Sequence, residues 1–144
     1  MTTQTYLGQL RNIDYEIMAI NTEAMSLRDI ATNMHPSCNE VMVDKSPNPG
    51  RMEDIIIKIV DSETRADKKR ETLINIKLRI EEQIKDIGDR FYYSLLWWSY
   101  HDNKRLYEIA HTLNYTPQHT KRLIRKAENA FEKKYGEEYL EKKS

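Results

Sequence analysis

Between positions 117 and 126 the chain reads "PQHTKRLIRK", and Gln118, His119, Lys121, Arg122, Arg125 and Lys126 in it all end in nitrogen hydrogen-bond donors. Amide, imidazole and guanidinium groups are what base edges and phosphate oxygens accept from, so on one helix face these side chains could read and grip double-stranded DNA. Gln118, His119 and Arg122 are the candidates for base edges. Lys121, Arg125 and Lys126, with Lys104 and Arg105 upstream, are the candidates for phosphates. The plain alternative is a solvated basic face, because a run of cations often serves solubility alone.

The flanking residues decide between these readings. In "LYEIAHTLNYTPQHTKRLIRKAENAF", Leu106 to Phe131, the spacing predicts a helix-turn-helix. A positioning helix needs apolar residues facing its successor and a small residue at the closest approach; Leu106, Ile109 and Leu113 meet the first demand and Ala110 the second. Asn114 tolerates the left-handed backbone of a tight turn, and Tyr115 is expected as its apolar plug. Thr116 can cap the next helix, and Pro117 suits its first position, where the missing N–H is not needed. The inward stripe is then Thr120, Leu123, Ile124, Ala127 and Phe131, which leaves the donor-rich residues facing outward. Thr120 is polar where an aliphatic contact is usual.

"LLWWSYHDNKRLYEIAHTLNYTPQHTKRLIRKAENAF" also resembles the promoter-reading region four of bacterial sigma factors. Together with "YLGQLRNIDYEI" and "PGRMEDIIIKIVD", nearly the whole chain is similar to short phage and prophage proteins of Gram-positive bacteria, relatives of late-gene transcription regulators of the ArpU and RinA types. Leu106, Glu108, Ile109, Ala110, Leu113, Thr116, Arg122, Leu123, Ala127 and Phe131 agree with the sigma-like pattern, whereas Pro117, His119 and Thr120 depart from it. The resemblance implies a sequence-reading regulator in the cytoplasm of a bacterial host, with host RNA polymerase as a further partner.

The elements that must carry this site are helical. Apolar residues recur at Tyr6, Leu10, Ile13, Ile17, Ile20, Ala24, Leu27, Ala31 and Met34 in alternating steps of four and three, a heptad seam that needs a partner. Pro36 and "SPNPG" interrupt it, so positions 35–50 read as a loop. A second long helix follows from about Arg51, with Glu53 and Asp54 favouring its start, and with Met52, Ile55, Ile56, Ile59, Val60, Ala66, Leu73, Ile76, Ile80, Ile84 and Ile87 as its apolar residues. Gly88 closes it. "DRFYYSLLWWSYHDNK" reads as a core helix with Phe91, Leu95, Leu96 and Trp98 to one side, and Asp102 and Asn103 as the cap region before Leu106. The expected architecture is all-α: a helical hairpin over 1–88 that serves as scaffold or dimerisation element, then a DNA-binding domain over 89–144.

Charge supports the division. Residues 1–88 hold 12 Lys and Arg against 15 Asp and Glu, and 89–144 hold 11 against 8, so a net charge of zero conceals a basic carboxy-terminal part. The lone Cys38 can form no internal disulfide. No apolar run is long enough for a membrane span, and the start lacks the pattern of a secretory signal. His35, His101, His111 and His119 lack the paired spacing of a zinc site, and no phosphate loop or nucleophile elbow occurs, so neither a cofactor nor an enzyme activity is expected. Two other uses of the same pattern stay open. One is a small-terminase-like packaging adaptor, which would form a ring; the other is an RNA-polymerase-binding module that does not read DNA.

Overall fold

The computed structural model describes residues 1–33 and 49–140, and all regular structure in them is helical. Helix α1 spans Thr3–Asn33 and α2 spans Pro49–Lys85; α3, Arg90–Leu96, runs on into a π-helical turn at Trp97–His101, followed by α4, Leu106–Leu113, and α5, Pro117–Tyr139. The segment 34–48, with Met34, Cys38 and most of the expected loop, lies outside the described residues. Of that loop, positions 49 and 50 already belong to α2, so Glu53 and Asp54 stand beyond its first turn.

Two compact units form, and they do not follow the division at Gly88. One unites residues 1–14 with 74 onward; the other is 15–73. The core explains the first. Tyr6, Leu7 and Leu10 of α1 and Ile80 and Ile84 of α2 are buried in one cluster with Leu95, Leu96, Tyr100, Ile109, Ala127 and Phe131. From α3 onward only α5 is longer than eight residues, and this part has too little apolar surface to close over itself, so the ends of both long helices complete its core.

Polar side chains fix the same arrangement. The Tyr6 hydroxyl donates to Gln83 Oε1 at 2.6 Å, Gln83 Nε2 donates to Glu138 at 2.7 Å, and the Tyr6 ring stacks on Tyr139 at 4.2 Å. Widening into a π-turn leaves helix-end carbonyls without intrahelical partners. Arg11 supplies one partner, donating to the Ser99 carbonyl from Nε at 3.1 Å and Nη2 at 2.9 Å while its guanidinium lies 4.6 Å from the Tyr100 ring centre. No periodicity announces that turn. Phe91, expected inside, is exposed, while Leu95, Leu96 and Tyr100 take the core positions. The cap region also differs: Asp89 caps α3 by accepting from the Phe91 and Tyr92 N–H groups, whereas α4 starts after Arg105 with no side-chain cap, and Asp102 ends the π-turn.

Gly88 adopts φ +88°, and an added Cβ would meet nothing within 4 Å. The cost of a side chain there is therefore conformational alone. Gly88→Ala is expected to destabilise this unit by about 1 kcal/mol, read as a lower denaturant midpoint with an unchanged slope.

Four tyrosines add an alkaline limit. Burial pushes the hydroxyls of Tyr6, Tyr100, Tyr135 and Tyr139 above the usual tyrosine range; Glu128 adds to the rise at Tyr100, and Asp86 helps take Tyr135 up to about 12. The folded state then holds protons that the unfolded chain releases near pH 10. Their stabilisation is complete below that value and is lost as pH rises towards the folded values. Unfolding midpoints measured from pH 9 upward should fall, with the tyrosinate absorbance of these four of the nine tyrosines appearing only together with unfolding; the absorbance of all nine rising near pH 10 in a folded protein would contradict this.

In the second unit, Arg28 pairs with Glu63 at 2.7 Å and Arg70 donates to Asn21 at 2.7 Å. Seven residues forward in α1 match seven backward in α2, so the two segments run antiparallel in heptad register. Ile17, Ile20, Ala24, Leu27, Ile55, Ile59 and Leu73 are half-buried along the seam. Ala66, still 9% exposed, is the one buried apolar residue among those described in this unit. Met52, Ile56 and Val60, assigned to the seam by their spacing, are exposed instead, as are Tyr15, Met18, Met25, Ile30 and Ile57.

Candidate nucleic-acid interface

α4 buries Ile109 and Ala110 and leaves Leu106 and Leu113 half-buried. It ends in a Schellman arrangement: Asn114 takes φ 58° and ψ 36°, its N–H donates to the His111 carbonyl at 3.2 Å, and the Tyr115 N–H donates to the Ala110 carbonyl at 3.0 Å. The left-handed residue expected from the sequence is therefore present. Tyr115 is not a plug. The residue is 46% exposed, and its ring meets that of His119 edge-on, with centroids 5.0 Å apart at 81°.

Thr116 then caps α5, its hydroxyl accepting from the His119 N–H at 3.2 Å, and Pro117 occupies the first turn. Thr116→Ala should cost about 1 kcal/mol of stability, visible in thermal melts. Thr120 is fully buried, and its hydroxyl donates to the Thr116 carbonyl at 2.9 Å. That bond is how a polar residue replaces an aliphatic one here: the hydroxyl is satisfied locally, so the whole side chain can be buried. Ala127 and Phe131 are fully buried, and Leu123 and Ile124 are half-buried, so the inward stripe lies where the spacing put it.

The opposite face carries the predicted donors. Gln118, His119, Lys121, Arg122, Arg125 and Lys126 are all exposed. Steps of four and three put Gln118, Arg122 and Arg125 along one line of the helix, with Lys121 on one flank and His119 and Lys126 on the other. Among the described residues none of Lys121, Arg122, Arg125 and Lys126 has an ion-pair partner. Arg28, Arg70, Lys77, Arg79 and Lys134, by contrast, are paired with carboxylates of the protein itself.

Glu128 accounts for part of that difference. At three residues from Arg125 it could neutralise the face. Instead it is buried, accepting from the Tyr100 hydroxyl at 2.6 Å and from Gln4 Nε2 at 3.2 Å. Sequence reading missed this role, although Glu128 shares the inward stripe with Ile124 and Phe131 by helical spacing. Lys104 and Arg105 are exposed but engaged: Lys104 Nζ lies 5.5 Å from the Trp98 ring centre, and Arg105 Nη1 donates to the Tyr107 hydroxyl at 3.0 Å. Among the described residues no three His, Cys, Asp or Glu side chains converge as metal ligands.

No protein-family model, no curated protein and no solved structure matches the chain.

Proposed function

We propose that the protein is a sequence-specific double-stranded DNA-binding transcriptional regulator of phage type, acting in the cytoplasm of a bacterial host, with α4 and α5 as its helix-turn-helix. The observation that carries this is the outward face of α5, where four cations, an amide and an imidazole stand exposed and the nearest acid on the helix is turned into the core. A helix entering the major groove presents its first turns to base edges and grips phosphates along its flanks. Gln118, His119 and Arg122 take the base edges; Lys121, Arg125 and Lys126 take phosphates. Lys104 and Arg105 join them from the residues just before the positioning helix, in contact with Trp98 and Tyr107.

Self-association belongs to the same reading. A unit of two helical segments with one buried apolar residue and eight exposed large ones among its described residues supports pairing with a second copy through this unit. A dimer would read a site with two half-sites. Light scattering that gives a ring of eight or more chains would move the assignment to a packaging adaptor.

The deciding experiment is binding to labelled duplex fragments of the source genome at two salt concentrations with competitor DNA. Retention of one fragment above competitor, weakened by salt, supports the regulator. Uniform or absent binding overturns it, and capture of RNA polymerase from nuclease-treated extract would then point to an interaction module. Among the described residues no helix is long and apolar enough to cross a membrane.

A further inference from the structure

Tyr115 is an exposed aromatic residue that neither packs into the core nor plugs the turn, yet its ring contacts one of the candidate base-reading side chains. We infer that Tyr115 is a positioning residue that holds the His119 imidazole so that its N–H faces a purine N7 acceptor in the major groove. The inference rests on the DNA-binding reading and adds to it the residue that sets specificity at one base position.

Three observations bring the two rings together. The left-handed turn at Asn114 and the bond from the Tyr115 N–H to Ala110 fix where the tyrosine leaves the backbone. The Thr116 cap, accepting from the His119 N–H itself, fixes the first turn of α5. The edge contact at 5.0 Å and 81° then links the side chains across that cap. Such perpendicular ring pairs are favourable beyond the area they cover.

The consequence for recognition is entropic. An exposed histidine free to rotate loses that freedom when it meets a base, and the loss weakens the contact. A ring already held by a neighbour loses less, so the correct base gains more than a wrong one. Imidazole also suits a purine, since N7 is an acceptor on both guanine and adenine in the major groove. The other end of α4 shows a parallel device, because Tyr107, 57% exposed, takes the guanidinium of Arg105 on its hydroxyl. That tyrosine acts through its hydroxyl; Tyr115 acts through its ring.

Two measurements test this on the full chain. The first needs no DNA: the ring-proton resonances of His119 should shift on Tyr115→Ala and stay nearly in place on Tyr115→Phe. Unmoved resonances in Tyr115→Ala would show that the rings do not touch, and the inference fails. The second starts from the sequence the wild type selects from a random duplex pool, with binding then measured to each single-base variant at fixed salt. Tyr115→Ala should lose discrimination about three- to tenfold at one position, with a purine as the preferred base, and Tyr115→Phe should keep it. His119→Ala should lose discrimination at the same position, and adding Tyr115→Ala to it should change nothing further. Independent losses in the double variant, or an equal weakening on every sequence, would overturn the inference while leaving the DNA reading intact. A wild type that selects no sequence would sink both.

Discussion

A chain that starts at Tyr15 will lose the fold of the unit that carries α4 and α5. Leu7 is fully buried, Leu10 is 3% exposed and Tyr6 9%, all in one cluster with Leu95, Leu96 and Phe131. Burying each such side chain contributes about 1.5–3 kcal/mol, so three of them match much of the roughly 5–15 kcal/mol that stabilises a whole domain. Their removal also takes Arg11 from the Ser99 carbonyl and Gln4 from Glu128, leaving polar groups of the core with fewer partners. The expected result is a fragment with helical far-ultraviolet signal but no cooperative thermal transition. A fragment of residues 89–144 should behave in the same way. Leu7→Ala in the full chain provides the graded version, with an expected loss of about 2–5 kcal/mol. Met18→Ala, 63% exposed in the other unit, should stay within about 0.5 kcal/mol of the wild type. If the chain from Tyr15 melts cooperatively near the wild-type temperature, the amino-terminal turns are not part of that core.

The position of that boundary is not written in the local sequence. Helical spacing identifies which side of a helix is apolar, and it found Tyr6, Leu10, Ile80, Ile84, Ala127 and Phe131 without saying which helices would meet. The same heptad steps run through Tyr6, in a core of six elements, and through Leu27, in a half-buried seam, because the period records the stripe and not its partner. The turn was more legible. Asn114, Thr116 and Pro117 each have backbone or capping chemistry that acts within a few residues, and each does locally what its type requires. Tyr115 lies on the surface and not in the turn, because an aromatic beside a turn can equally fill a core or stay exposed. The π-turn at Trp97–His101 and its completion by Arg11 depend on residues 88 positions apart, and no local signal encodes them. Met52, Ile56 and Val60 stay exposed for a related reason: apolar residues at neighbouring positions satisfy several stripes at once, and only the opposing helix chooses among them.

The largest functional effect is expected from the outward face of α5. Replacing Lys121, Arg125 and Lys126 together by Gln removes three cations with no ion-pair partner among the described residues, so the fold loses little. Each phosphate contact contributes about 0.9 to the slope of log affinity against log salt on B-form DNA, so the triple variant should flatten that slope by about three and weaken binding to every sequence alike. Arg122→Ala should act differently. If its guanidinium spans a guanine O6 and N7, its loss costs about 1–3 kcal/mol of discrimination at one base pair, while the salt slope changes by no more than one. Lys68→Gln with Lys69→Gln, in the other unit, is the control and should leave both quantities unchanged. The contrast matters because any basic protein binds DNA weakly at low salt. A face that reads sequence must separate a uniform loss at Lys121, Arg125 and Lys126 from a local loss at Arg122. Equal flattening by the control pair, or an Arg122 variant that weakens all sequences by one factor, would reduce the face to a solvated basic surface.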